Sequence, residues 1–376
     1  MKKMKLDNPF VVTGYFGPEY FCDRESETEE LVSAMKNGWN VTLISPRRLG
    51  KTGLIKHAFN RLEGSSDVKC FYVDIYSTKN LSDLVQALAH AIVGKLDSQL
   101  EKAVKKVNGV FAAFRPTMTL DAHTGQPTFS FDISPQQAQL SLESIFKYIG
   151  SYNGKCVVAI DEFQQVAEYP EGGTEGLIRS YVQFMPHARF VFAGSKQHMM
   201  EEMFLSATHP FYRSTHIMNL REINEDKYRD FANRFFAEQG REIAADDFHY
   251  LYAAIDGQTF YVQAILNKIY SHPRQGIDKD FILQCTSEAV DEQIAAFQYI
   301  YNLLTENQAA LLHAIACEHA VKEPLGREFS QRYRLPAKSS LRLALDYLVK
   351  NQMVYRDIQR GYVVYDRFMG MWLASL

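Results

Sequence analysis

One loop constrains the fold of this chain more than any other feature, and its sequence is Ser45-Pro46-Arg47-Arg48-Leu49-Gly50-Lys51-Thr52. The β-branched run at 41–44 before it predicts a buried strand, and the apolar spacing of 53–59 after it predicts a helix. A strand, a loop ending in Gly-Lys-Thr and then a helix is an arrangement that binds a di- or triphosphate, because backbone N–H groups and the helix N-terminus point at the phosphates.

The residue types in this loop predict which of its groups bind the phosphates and which bind the metal. We expect residues 45–53, which include Gly53, to surround the phosphates, with Lys51 placing its charge on the β- and γ-phosphates. The Thr52 hydroxyl is expected to take one coordination position of Mg²⁺. Ser45 replaces the glycine usual at the first position and is small enough for the loop to close. The alternative is an ordinary strand-to-helix turn that happens to contain Gly-Lys-Thr.

A second motif consists of the apolar run 156–160 followed by two carboxylates, Asp161 and Glu162. In an alternating β/α chain, Asp161 is placed to hold Mg²⁺ and Glu162 to act as general base on the attacking water. We expect the strand ends at 45–52 and 161–162 to lie side by side and share one metal-bound polyphosphate. Two solvated acids at a strand end are the alternative.

Two further side chains are candidates for the γ-phosphate. Ser195 follows the apolar strand 189–193 and could hydrogen-bond the γ-phosphate or the attacking water, or it could belong to a simple turn. Arg213 could contact the γ-phosphate within its own chain or across a subunit interface, or it could be a surface arginine. The aromatic-rich arm 7–24 is placed to touch a base or to pack on its own domain.

Length and composition limit the classes of protein to consider. A chain of 376 residues with 46% hydrophobic and 23% charged residues is globular and should contain two or three domains. The net charge of −3 argues against a protein that coats nucleic acid. The five cysteines lack disulfide or zinc spacing. No secretory signal or membrane-spanning run is predicted, so we expect a cytoplasmic protein without membrane contact.

The order of predicted elements indicates an α/β fold with three domains. Residues 1–220 are expected to form a phosphate-loop NTPase core, a three-layer αβα arrangement around a mainly parallel sheet, with a β-hairpin insertion near 114–134. From 221 to 301 the pattern is helix after helix, which predicts a helical lid. Residues 302–376 predict three helices and a two-stranded wing, typical of a winged helix.

The winged helix raises the question of a macromolecular partner. Residues 302–376 contain ten Lys/Arg and seven Asp/Glu, a net charge of +3. This bias permits DNA binding without requiring it, and a protein-interaction domain is the alternative. The side chains placed for DNA contact are Lys338, Arg342 and Arg360.

Taken together, these motifs resemble the archaeal-type ATPases of the AAA+-like STAND group. The resemblance is carried by Asn8-Pro9-Phe10, Phe21-Cys22-Asp23-Arg24-Glu25-Ser26-Glu27, the 46–52 loop, Ile160-Asp161-Glu162-Phe163-Gln164, Gly194-Ser195, Pro210-Phe211-Tyr212-Arg213, Tyr365-Asp366-Arg367-Phe368 and Met371-Trp372-Leu373. It implies that the nucleotide is ATP, that Phe21 and Arg24 lie near its base, and that nucleotide acts as a conformational switch. Two positions depart from the family pattern, Asp23 in place of glycine and Thr259 in place of proline.

Three functions therefore remain open. The first is Mg²⁺-dependent ATP hydrolysis that closes and relaxes the lid and winged helix. The second is a nucleotide-gated regulator that binds DNA or a protein with little or no hydrolysis. The third is an initiator or loader that acts as a homo-oligomer.

Overall fold

The structure is a computed structural model that describes residues 5–65, 68–93, 115–120, 127–357 and 359–376. The chain forms two compact units. One contains Thr13–Ile223, and the other combines Met1–Val12 with Asn224–Leu376. The three-domain division at 220 and 301 stays a prediction.

The first unit contains a hairpin and a five-stranded sheet. Its strands are β1 (Val41–Ile44), β2 (Val68–Asp74), β3 (Arg115–Leu120), β4 (Pro127–Asp132), β5 (Lys155–Asp161), β6 (Ala188–Gly194) and β7 (His216–Asn219). β3 and β4 pair antiparallel, as the alternating pattern predicts. The other strands form a parallel sheet in the order β2-β5-β6-β1-β7. Residues 121–126 lie outside the described residues.

The strand order corrects one expectation. β6 lies between β1 and β5, so the strands that precede the two nucleotide motifs are not neighbours. Both strands nevertheless run in the same direction, and their carboxyl ends meet at the same edge of the sheet. The two motifs are therefore separated by the width of one strand at this edge.

Helices cover both faces of the sheet, which confirms the three-layer α/β fold. They are α1 (Glu25–Lys36), α2 (Lys51–Ser65), α3 (Leu81–Ile92), α4 (Ala138–Gly150), α5 (Thr174–Val182) and α6 (Gln197–Leu205). Successive strand residues point to opposite faces. Ala159 packs with Leu54 of α2 in one core cluster, and its neighbour Val158 packs with Leu84 of α3 and Leu142 of α4 in the other. α3 ends at Ile92, followed by Val93 in an extended conformation, and residues 94–114 lie outside the described residues.

The second unit is helical and ends in the expected winged helix. Its helices and strands are α7 (Glu225–Phe236), α8 (Ala245–Ala254), α9 (Thr259–Ser271), α10 (Lys279–Asp291), α11 (Ile294–Asn302), α12 (Glu306–Cys317), α13 (Arg327–Arg332), α14 (Lys338–Lys350), β8 (Val354–Asp357), β9 (Gly361–Val364) and α15 (Arg367–Ala374). Thr305 and Gln308 form the capping box that opens α12. β8 and β9 pair antiparallel as the wing. No described helix has both the length and the apolar character needed to cross a lipid bilayer.

The start of the chain packs into the second unit. Phe10 is fully buried and its ring lies 5.2 Å from that of Phe236 on α7. The Asn8 side chain donates to the carbonyl of Asn267 at 2.9 Å, and Asn267 donates back to the carbonyl of Phe10 at 2.8 Å. This part of the aromatic arm packs on the helices of the second unit, and not, as expected, on the domain that contains the phosphate loop.

Candidate functional site

The 45–52 loop connects β1 to α2 in a bent backbone conformation. Arg48 and Gly50 have φ angles of 71° and 89°, left-handed values that let the loop fold back on itself. Ser45 is fully buried and its hydroxyl donates to the carbonyl of Pro46 at 2.8 Å. Leu49 is also buried and anchors the loop in the core. The loop therefore closes with serine at its first position.

Lys51, the first residue of α2, joins the two predicted motifs. Its Nζ lies 2.9 Å from Asp161 Oδ1 and 3.2 Å from Glu162 Oε1. Burial alone would raise the pKa of both carboxyls, but the Lys51 charge and several hydrogen bonds outweigh it, so both pKa values lie below their ordinary range. One ammonium and two ionised carboxylates thus share the carboxyl edge of the sheet.

The two residues predicted to hold Mg²⁺ are in direct contact. The Thr52 hydroxyl donates to Asp161 Oδ2 at 2.9 Å. Oxygen donors are the ligands that Mg²⁺ prefers, and neighbouring ligands about 2.1 Å from the metal in an octahedron lie about 3 Å apart. The pair therefore fits two adjacent positions of a magnesium ion.

Glu162 is held on both of its oxygens. Its Oε2 accepts a hydrogen bond from Ser195 Oγ at 2.7 Å and another from Gln164 Nε2 at 2.6 Å, while Oε1 faces Lys51. The backbone at Glu162 is left-handed, with φ of 58°, a conformation that non-glycine residues rarely adopt. The predicted base and the predicted γ-phosphate contact Ser195 thus belong to one hydrogen-bonded group.

Three residues of this site were not predicted from the sequence. The Tyr72 hydroxyl donates to Asp161 Oδ2 at 2.6 Å, and Gln164 donates to Glu162. Asp74 ends β2 in register with Asp161, and burial together with the nearby Asp161 charge raises its pKa. An acid at a strand end could have suggested Asp74. The role of Tyr72 depends on a contact between β2 and β5, which no local pattern reveals. That of Gln164 depends on how the backbone turns after β5.

Arg47 lies at the rim of the site. Its guanidinium stacks 5.2 Å from the ring centre of Tyr76, and its Nε donates to Ser195 Oγ at 3.4 Å. Arg47 therefore contacts the same serine that binds Glu162, as a phosphate-facing arginine would.

Arg24 lies behind the loop and is almost fully buried. Its guanidinium donates to the Leu49 carbonyl at 3.0 Å and to the Glu27 carboxylate at 2.8 Å. These contacts hold the loop backbone, so Arg24 supports the loop in this structure. Its expected position near a nucleotide base stays a prediction.

Phe21 packs beside the start of α2. Its ring stacks on His57 with centroids 4.3 Å apart, and a side chain at Gly53 would lie only 3.3 Å from it. The Tyr15 hydroxyl hydrogen-bonds His57 Nδ1 at 2.9 Å. Burial and the nearby Arg61 charge lower the pKa of His57. Phe21 thus forms an aromatic wall next to the loop.

Arg213 is separate from this hydrogen-bonded group. It is exposed, and among the described residues its guanidinium has one partner, the ring of Tyr212 at 5.2 Å. Its backbone φ is 51°. The structure therefore does not bring Arg213 to Lys51 or Glu162 within the chain.

The three candidate DNA contacts of the winged helix differ in whether they form ion pairs. Arg360 is ion-paired, at 2.6 Å with Asp256 and at 3.5 Å with Asp357. Lys338 and Arg342 on α14 are exposed and form no ion pair within the described part of the chain. Arg360 is thus used inside its own unit, and two of the three cations are free to meet a partner.

Comparisons with known proteins agree with this geometry. Residues 21–265, more than half of the chain, match the family described as an ATPase domain predominantly from Archaea, and 295–375 match one described as a probable winged helix domain. None of the curated protein sequences matches the chain.

The fold is shared with solved structures of low sequence identity. The Walker-type ATPase Paby2304 of Pyrococcus abyssi is 16% identical with a TM-score of 0.65, over 97% of this chain and 99% of that one. The Aeropyrum pernix ORC2 protein, solved in ADPNP–ADP complexes, is 14% identical with a TM-score of 0.59, over 98% and 95%. The Aeropyrum pernix ORC1 protein in complex with DNA is 13% identical with a TM-score of 0.55, over 98% and 96%.

At such identities these structures establish the fold alone, whereas the family match covers the phosphate loop and both carboxylates together. This chain belongs to the family of nucleotide-binding ATPase domains that occur predominantly in Archaea.

Proposed function

We propose that this protein is a Mg²⁺-dependent ATPase that hydrolyses ATP to ADP and phosphate. The observation that carries the proposal is the contact of Lys51 with Asp161 and Glu162, at 2.9 and 3.2 Å. It gathers a phosphate-binding cation, a metal ligand and a base within a few ångströms of the N-terminus of α2.

The loop 45–53 binds the triphosphate through its backbone N–H groups. The N-terminus of α2 adds the positive end of the helix dipole. Lys51 leaves the two carboxylates and places its ammonium against the β- and γ-phosphates. The lysine thus exchanges two negatively charged partners for two others. Arg47 at the rim adds a second cation.

Thr52 and Asp161 hold the magnesium ion. When bound, Mg²⁺ neutralises negative charge on the phosphate oxygens. Tyr72 keeps Asp161 oriented through its hydroxyl, because a carboxylate that accepts a second hydrogen bond has fewer positions open to it. The chain itself therefore supplies both the ligands and their support.

Glu162 accepts the proton of the attacking water. The water oxygen forms a bond to the γ-phosphorus as the bond to the bridging oxygen breaks, and one water proton passes to the Glu162 carboxylate. A low pKa keeps this carboxylate ionised and ready to accept a proton at neutral pH. Ser195 fixes the carboxylate by donating its one hydroxyl proton to Oε2.

The remaining parts of the proposal rest on family resemblance and position. Phe21 contacts the base of ATP. The exposed Arg213 contacts the γ-phosphate of a neighbouring subunit in a homo-oligomer. Hydrolysis works as a switch that moves a helical lid, 221–301, and the winged helix, 302–376, as STAND ATPases do.

All five cysteines are free thiols, which supports a cytoplasmic location.

Phosphate release by the purified chain tests this function. We expect turnover that requires Mg²⁺ and that Lys51→Met reduces at least about a hundredfold, since it removes the phosphate-bound cation. Lys36→Met, which changes an exposed lysine of α1, is the matched control and should keep wild-type turnover. Equal turnover in both variants would contradict the proposal.

A second candidate function is nucleotide-gated binding of DNA or a protein through α14. Lys338 and Arg342 are free there, and the Aeropyrum pernix ORC1 protein of similar fold was solved with DNA. Leu343 on the same helix is 72% exposed, which favours an apolar protein surface. DNA binding should weaken with salt and be lost in Lys338→Glu/Arg342→Glu. Salt-independent capture of a protein would support the other partner class.

A further inference from the structure

We infer that Gln164 is a positioning residue for Glu162, holding one carboxylate oxygen so that the other is presented to the attacking water. The inference rests on the proposed ATP hydrolysis and deepens it. It assigns a role to a side chain for which neither nucleotide motif gives one.

The two oxygens of Glu162 have different partners. Oε2 accepts from two fixed donors, Gln164 at 2.6 Å and Ser195 at 2.7 Å. Oε1 has Lys51 at 3.2 Å, and this lysine is the group that moves to the phosphates when ATP binds. After that move Oε2 is still occupied, whereas Oε1 can accept a proton. The contacts of Oε2 thus decide which oxygen serves as the base.

The Gln164 amide is locked in place by its surroundings. Its side chain is 1% exposed, and an ideal Cβ built on Gly194 would lie 2.3 Å from Gln164 Oε1. The absence of a side chain at Gly194 therefore provides the space that this oxygen occupies. Within the described residues, the Gln164 oxygen has no hydrogen-bond partner.

This unpaired oxygen shows what the amide is arranged to do. Rotating the amide by 180° would place its oxygen against Glu162 Oε2, where two acceptors repel each other. A buried carbonyl oxygen without a hydrogen-bond partner destabilises the fold. Here Gln164 Oε1 is left without one among the described residues, while Nε2 of the same amide donates to the Glu162 carboxylate. The orientation of Gln164 is thus set by Glu162.

Removing the amide donor should loosen the Glu162 carboxylate, because Ser195 is then the one fixed donor to Oε2 among the described residues. Gln164→Met keeps the length of the side chain and removes the donor. We expect kcat to fall about tenfold, because the base is then held less often in the productive orientation. The KM for ATP should stay within about twofold, since no hydrogen bond joins Gln164 to the loop in the described part of the chain.

The experiment measures KM for ATP and single-turnover hydrolysis in Gln164→Met, in Glu162→Gln and in the variant that carries both changes. Gln165→Met is the matched control, because the Gln165 amide reaches only exposed Glu168, at 3.4 Å. Gln164→Leu provides a second variant if Gln164→Met does not fold, as judged by its melting temperature.

A hydrolysis rate that falls in Gln164→Met with KM unchanged, and that Gln164→Met lowers no further once Glu162 is replaced, supports the inference. A rate in Gln164→Met equal to that in Gln165→Met overturns it, and so does an equal fall with and without Glu162, because Gln164 would then act independently of the carboxylate. A wild-type chain that does not hydrolyse ATP overturns the proposed function and with it the catalytic role of Gln164. The wild-type rate is measured first, so these failures are distinguishable.

Discussion

The ammonium of Lys51 lies 2.9 Å from Asp161, although the strands that lead to these residues, β1 and β5, are separated by β6. The contact closes the site across the width of one strand. One ammonium is thus shared by two carboxylates, which leaves this group of three with a net negative charge. Under the proposed function, ATP binding would move Lys51 from the carboxylates to the phosphates.

Removing the Lys51 charge should destabilise the protein most at neutral pH. In Lys51→Met, the lysine charge no longer offsets burial, so the pKa values of Asp161 and Glu162 rise. A raised folded-state pKa gives stability below the unfolded value that is lost as pH rises through the folded one. We expect a loss of about 3 kcal/mol at pH 7.5 that shrinks toward pH 5.

Urea denaturation across this pH range measures the effect, with Lys36→Met as control. In the wild type the lowered pKa values stabilise the fold above about pH 4, and this stability is lost as pH falls through them. The two proteins should therefore converge in acid. A pH-independent difference would contradict the assigned charge group.

The Tyr72 hydroxyl should matter for the metal more than for the fold. Tyr72→Phe removes the donor that lies 2.6 Å from Asp161 Oδ2 and leaves the ring in place. We expect the Mg²⁺ concentration for half-maximal phosphate release to rise about tenfold, as for other groups that orient a metal ligand. Tyr76→Phe, at an exposed ring with no hydroxyl contact among the described residues, should leave it unchanged. An equal Mg²⁺ requirement in both variants would remove Tyr72 from the metal site.

Asp256 should stabilise the second unit through two arginines. Its carboxylate pairs with Arg360 at 2.6 Å and with the largely buried Arg367. Asparagine tolerates the left-handed φ of 51° at this position, so Asp256→Asn removes the charge and keeps the turn. We expect a loss of about 1–2 kcal/mol in thermal or urea unfolding. Asp246→Asn, at an exposed position in the first turn of α8, is the control. If Asp256→Asn lowers the free energy of unfolding no more than Asp246→Asn does, the role of this ion pair is contradicted.

The sequence predicts those parts of the fold that depend on neighbouring residues. The 45–52 loop between a strand and a helix, the two acids at the end of β5 and the three helices and wing of the winged helix are all local patterns, and the structure contains each of them. Ser195 lies beyond β6, which pairs directly with β5, and its expected role at the γ-phosphate stays a prediction.

Other features depend on contacts between distant segments, which no local pattern encodes. The insertion of β6 between β1 and β5 is a matter of sheet topology. Arg24 and Arg360 are cations that the sequence assigns to ligands, yet in the structure each bonds groups of its own unit. Tyr72 was missed because its partner Asp161 lies on another strand. Gln164 belongs to a segment that resembles the family, but its role depends on the turn that brings its amide back to Glu162.

The central claim is that the 45–53 loop and the Asp161–Glu162 pair act on the same Mg²⁺·ATP. Its most direct test compares ATP affinity by calorimetry with single-turnover hydrolysis in Glu162→Gln. The account predicts an affinity within about threefold of wild type and a hydrolysis rate lower by at least about a hundredfold, because the base is lost while the phosphate contacts remain. Unchanged hydrolysis in this variant would contradict it.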